Sequence, residues 1–200
     1  PFFDASPNWS QMGRLWHDAR SAVDKLSKDD VVDPSRIYLF GYELGATVSL
    51  YTAALDPRVK GVVSVCGFTP MRTDTVDTGT GGIARWSIER PLIPRLGFFI
   101  GHEAQIPVDY PEIIAAIAPR PVIIVAPKLD RDANDADVHA ALEQVKKVYA
   151  LYNASTDLII DEPWDYARLP TYTQDWTIQC LNWAAHNTPS ATTASPTAAN

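Results

Sequence analysis

The sequence predicts an α/β domain, a parallel sheet with helices on both faces. Three observations predict it. Short apolar runs at Ile37–Phe40, Lys60–Gly67, Val122–Ala126 and Leu158–Ile160 have the length of strands and little polar alternation, as strands covered on both faces do. Between them lie segments of helical spacing, and alternation of this kind builds a parallel sheet. The 200 residues are 46% hydrophobic and 20% charged, which suits one sizeable core and a single domain.

Taken in order, residues 1–12 are aromatic and proline-containing and read as a loop. Between Gly13 and Ser27, Leu15, Trp16, Ala19, Ala22, Val23 and Leu26 share one helical stripe. Asp33 to Arg36 is a turn, and Ala46–Leu55 is a buried helix ending near Asp56-Pro57. From Phe68 to Pro107 periodicity is lost, and a stretch this long without elements of its own reads as a lid-like insertion. Asp109–Ala118 is a short helix with Pro111 in its first turn. Asp137–Tyr152 is a helix with Val138, Leu142, Val145, Val148 and Tyr149 inward, and Thr173–Ala185 is the last. Residues 1–186 therefore form the domain, with 68–107 inserted, and the Ser/Thr/Pro-rich residues 187–200 read as a disordered tail.

The net charge of −7 disfavours nucleic acid, since no basic stripe meets phosphates. No apolar run reaches the roughly 20 residues of a membrane helix. Pro1 is no natural start, so the chain reads as a mature product or a fragment. Cys66 and Cys180 read as two buried thiols. The acidic run Asp130, Asp132, Asp135, Asp137 lacks the glycine and glutamate of a calcium loop and reads as a helix N-terminus, where carboxylates suit the dipole. No metal and no cofactor are expected. The sequons at Asn8 and Asn153, the tail and 16 prolines point to an extracellular or periplasmic glycoprotein.

The stretch IYLFGYELGATVSLYTAAL, Ile37 to Leu55, carries the chemistry. A strand, a Gly41-x-Glu43-x-Gly45 turn and a helix form the nucleophile elbow of G-x-S-x-G enzymes, with the two glycines expected to allow close backbone approach. Glu43 stands where that motif has serine.

With DPSRIYLFGYELGA, DPRVKGVVSVCGF and IAPRPVIIVAPKLDRDA, the chain from about Gly13 to Trp183 resembles the C-terminal two-thirds of an α/β hydrolase, nearest the dienelactone hydrolase and acetyl-xylan-esterase-like branch. The resemblance implies that Asp130 holds the position of the triad acid, with Asp132 as a nearby substitute, and that the Leu44 N–H is an oxyanion donor. It places the histidine in the loop after the last strand, but DEPWDYARLP has none, and of the four histidines only His102 lies where a swing to the mouth is conceivable. The early strands of the fold are absent, so a second chain carrying the missing half is an expected partner. Tyr42, Phe68, Trp164, Asp165, Tyr166 and Arg168 are expected to line the site.

Acyl transfer by serine needs a nucleophile and a base, and neither is visible here. The sequence therefore reads as an esterase-derived domain with a degenerate triad, an atypical or inactive hydrolase of carbohydrate esters. Two alternatives stand beside it. One is a non-catalytic binding or assembly domain, with Glu43 ion-paired to Lys128, Arg131 or Arg168. The other is a glycoside hydrolase using Glu43 and Asp130 as paired carboxylates.

Overall fold

The computed structural model describes residues 9–187. The sheet has four parallel strands in sequence order: β1 (Ile37–Tyr42), β2 (Val59–Val65), β3 (Val122–Val125) and β4 (Leu158–Asp161). Helices α1 (Gln11–Leu26), α2 (Leu44–Leu55), α3 (Tyr110–Ala115) and α4 (Asp135–Leu151) share the larger apolar core on one face. Helix α5 (Thr171–Asn187) covers the other face, with Trp176, Cys180 and Leu181 against Val63, Val65, Ile123 and Val125. Every residue of β3 is buried, which explains its unbroken apolar sequence. Among the described residues, β1 has no strand on its outer edge, and Phe40 there is 39% exposed.

Local signals account for most element boundaries, with some adjustments. Helix α1 begins at Gln11, because the Ser10 hydroxyl caps it by accepting from the Gly13 N–H at 2.9 Å. Its buried residues are Met12 and Val23, whereas Ala22 and Leu26 face solvent. Met12 is drawn in by the insertion, its N–H donating to the Leu92 carbonyl at 2.9 Å. Helix α2 starts at Leu44 rather than Ala46, and α4 at Asp135, where the Asn134 side chain accepts from the Asp137 N–H. Both cysteines are free and half-buried. The tail after Asn187 and the sequon at Asn8 lie outside the described residues.

Residues 68–107 carry only short turns of 3₁₀ or π type, and their two ends are fastened to one another. The Asp109 carboxylate, 1% exposed, accepts from the N–H groups of Met71 (2.8 Å), Arg72 (2.9 Å) and Tyr110 (2.7 Å). Arg72 then reaches the Ile106 carbonyl (2.8 Å), the Pro107 carbonyl (3.1 Å) and Glu112 (2.5 Å). Glu112 closes a capping box by accepting from the Asp109 N–H at 2.9 Å. One buried carboxylate thus starts α3 and holds the neck of the insertion.

Candidate functional site

Strand β1 delivers Glu43 into a backbone conformation of φ 49° and ψ −120°, rarely adopted by residues with a side chain. The surroundings over-determine it. The Glu43 N–H donates to the Val65 carbonyl (2.9 Å), and its carbonyl accepts from the Thr47 N–H (3.0 Å). The Thr47 hydroxyl donates to the Gly67 carbonyl at 2.5 Å, tying α2 to the end of β2. A Cβ on Gly41 would collide with the backbone of Gly45 and Ala46, so this position requires glycine. Gly45 differs from expectation, because a Cβ there meets only open space on the first turn of α2. Leu44 is the first residue of α2, and its N–H is one that a helix leaves without an intrahelical acceptor.

Above the elbow lies a cleft of about 150 Å³. Its acidic side is formed by Glu43, Asp130 and Asp132, and its apolar wall by Phe68, Trp86, Leu92 and Tyr110. Burial pushes the Asp130 carboxyl up; the Asp132 N–H, donating to it at 2.8 Å, opposes this, and the Asp132 and Glu43 carboxylates push it further. The two candidate acids differ in their ties. Asp132 is held by the buried Arg85, which also donates to the Asp132 carbonyl at 3.0 Å and lies 4.6 Å over the Trp86 ring. Asp130 has no ion pair among the described residues. Cys66, at φ 55°, lines the same cleft, and its thiol is pushed up to about 12, first by burial and then by Asp130.

Of the residues expected at the site, Glu43, Leu44, Phe68 and Asp130 come together in this cleft. Tyr42 lies beside it, donating to the Ala167 carbonyl at 3.2 Å, and burial followed by the nearness of Glu43 pushes its phenol up to about 12. Trp164, Asp165, Tyr166 and Arg168 do not line it. Their loop is pinned by backbone bonds, Lys128 N–H to the Pro163 carbonyl (2.9 Å) and Leu129 N–H to the Asp165 carbonyl (3.0 Å). Asp165 is occupied by Arg168 at 2.7 Å and the Tyr172 hydroxyl at 3.0 Å, leaving Trp164 and Tyr166 facing solvent. Arg168 is therefore not the partner of Glu43, which is exposed and makes no ion pair among the described residues. None of the histidines lines the cleft. His17 and His186 sit on the outer helices, His102 on an exposed turn, and His139 contacts Glu162 at 3.0 Å.

Thr47, Arg90, Leu92 and Tyr110 line the cleft without having been singled out for it. The lost periodicity of 68–107 marked the segment as functional, but nothing in it tells which side chains turn inward. No His/Cys/Asp/Glu cluster fit to hold a metal occurs among the described residues, and no described helix is long and apolar enough to cross a membrane.

Comparison with known proteins agrees with this fold. A stretch of 49 residues, 24% of this chain and 16% of its relative, is 53% identical to a protein named thiohydrolase apmlB from Arthrinium phaeospermum. A glucuronoyl esterase from Solibacter usitatus superposes with a TM-score of 0.73 at 16% identity, over 87% of this chain and 48% of its own. A glucuronoyl esterase catalytic domain from Hypocrea jecorina gives 0.71 at 12% identity, over 90% and 53%. The chain thus spans about half the length of these solved structures. The profile of the Abhydrolase family matches residues 5–148, and with the parallel sheet, the elbow and these superpositions it establishes that the chain belongs to that family.

Proposed function

We propose that this chain is a domain of esterase ancestry that holds carbohydrate esters at an elbow no longer equipped for serine acyl transfer. The observation that carries the reading is Glu43 in the strained elbow position, sharing a cleft with Asp130 while the histidines lie elsewhere. Acyl transfer needs a nucleophilic hydroxyl or thiol and a base to accept its proton. Cys66 supplies neither, its thiol being held protonated by burial and by acidic neighbours. The glucuronoyl esterases set the expectation of a carbohydrate ester as ligand. Residues 68–107 act as the lid, and the open edge of β1 receives a strand from polypeptide outside the described residues. The exposed Asn153 suits glycosylation and an extracellular setting.

The test is a panel of acetylated and uronoyl sugar esters offered to the native protein and to Glu43→Gln. Saturable binding with turnover at the uncatalysed rate is expected of both. Hydrolysis by the native protein that Glu43→Gln abolishes overturns the reading.

A second reading draws on the raised Asp130 beside Glu43. Two carboxyl groups facing one cleft, one of them raised by burial, are the kind of pair glycoside hydrolysis uses. Cleavage of aryl glycosides lost in both Glu43→Gln and Asp130→Asn supports it; an inert native protein excludes it.

A further inference from the structure

Resting on the carbohydrate-ester reading, we infer that the cleft over Glu43 is a pocket for the neutral apolar part of an ester, an aryl or short acyl group, and that it turns anions away. Shape supports this first. Phe68 stacks on Tyr110 with ring centroids 5.0 Å apart, and Tyr51 meets the same ring edge-on at 6.3 Å, so the back wall is a preorganised aromatic stack. The Thr47 hydroxyl between elbow and wall is already committed to the Gly67 carbonyl, so it offers a ligand no free donor. Thr47, Trp86, Leu92 and Tyr110 also border a small recess of about 10 Å³ walled by Met12, Met71, Ile93 and Leu96, with no charged group. Methionines fill such a recess adaptably and yield to a ligand of slightly different shape. The cleft's volume of about 150 Å³ is that of an apolar cavity able to take a benzene ring.

Charge gives the second argument. Three carboxylates, those of Glu43, Asp130 and Asp132, line the cleft with one guanidinium, Arg90. The guanidinium of Arg85, close by, is tied to Asp132. A carboxylate ligand meets net negative potential at the mouth and loses its hydration against the apolar wall. A neutral ester of the same shape meets neither penalty. The sugar is then left outside, on the alcohol side of the ester.

The experiment titrates the full chain with methyl benzoate, benzoate, methyl glucoside and acetylated methyl glucoside at pH 7, following heat release and tryptophan fluorescence. Methyl benzoate is expected to saturate, with benzoate at least about tenfold weaker because of the like charges. Ala133→Phe and the milder Ala133→Leu, which fill the cleft from the opposite side, abolish or weaken methyl benzoate binding in proteins with native circular dichroism. Glu43→Gln combined with Asp130→Asn brings benzoate to within about threefold of the ester. Benzoate binding as tightly as methyl benzoate in the native protein overturns the inference, as does methyl benzoate binding untouched by both Ala133 variants or absent altogether. Glucoside binding without methyl benzoate binding refutes this inference and leaves the carbohydrate reading standing. Methyl benzoate binding that neither glucoside nor acetylated glucoside perturbs does the reverse.

Discussion

Replacing Asp109 by asparagine exchanges one oxygen for an amide and perturbs the neck of the insertion at a single point. In the native protein one carboxylate oxygen accepts from Met71 and Tyr110 and the other from Arg72, in a site 1% exposed. An asparagine keeps the first oxygen but sets an NH₂ group against the Arg72 N–H, donor facing donor. The lost charge-assisted bond is worth roughly 1.5–3 kcal/mol, and a buried donor without an acceptor costs a further 1–3. A destabilisation of about 3 kcal/mol follows, which in a domain of this size lowers Tm by roughly 6–12 °C. Urea unfolding followed by circular dichroism measures it, and native-state hydrogen exchange should report faster exchange at Met71 and Arg72 than in the sheet. The half-exposed Arg72–Glu112 pair is the internal control, since Glu112→Gln should cost no more than about 1 kcal/mol. An Asp109→Asn variant within about 0.5 kcal/mol of the parent refutes the assignment of the neck to this carboxylate.

Three further outcomes are expected. Because the Asp130 carboxyl is raised by burial and acidic neighbours, the folded state binds its proton more tightly than the unfolded chain does, and stability falls as pH rises from the ordinary aspartate range through the folded value. Asp130→Asn should therefore be more stable than the parent at pH 7, with the gain shrinking as pH falls through the raised folded value and gone below about pH 4, as urea midpoints across this range would report. Tyr149→Phe removes the 2.8 Å bond from its hydroxyl to the Arg120 carbonyl in a fully buried site, and calorimetry should find a loss of roughly 1–2 kcal/mol. Iodoacetamide at pH 8 should label Cys66 far more slowly in the native protein than in urea, because its thiol lies near 12; equal rates would contradict the burial and acidic surroundings assigned to it.

The sheet was legible because β2 and β3 are covered on both faces, so their residues announce burial without reference to anything distant. The elbow was legible because Gly41 has no alternative: backbone fills the space where a Cβ would sit. Gly45 shows the limit of that reasoning, since the same residue type two places beyond Glu43 has open space beside it. Asp130 was singled out by the resemblance to α/β hydrolases, whereas the tie between Asp132 and Arg85 spans 47 residues and leaves no local pattern. The loop from Asp161 to Pro170 was read as lining the mouth because it follows a strand end. Backbone bonds to Lys128 and Leu129 and the Asp165–Arg168 pair turn its aromatics outward, and none of these has a sequence signature. The cleft's apolar wall was hidden for a similar reason, because the Leu92 carbonyl is held by the Met12 N–H of α1, a contact between distant stretches that leaves no local pattern.

That neck makes the insertion an exchangeable cassette. The chain leaves the scaffold near Met71 and returns at Ile106–Asp109, with the two crossing points bonded to each other. Whatever lies between them closes on itself, and lengthening such a loop costs only slowly more entropy, roughly 0.6 kcal/mol per doubling. Residues 73–105 can then drift in length and composition provided that the Arg85–Asp132 and Met12–Leu92 ties and the core packing of Ile83 and Leu96 are kept. Ligand preference in proteins built this way should be inherited with the cassette, and a graft of residues 73–105 between two relatives should carry the preference of the donor onto the sheet of the recipient.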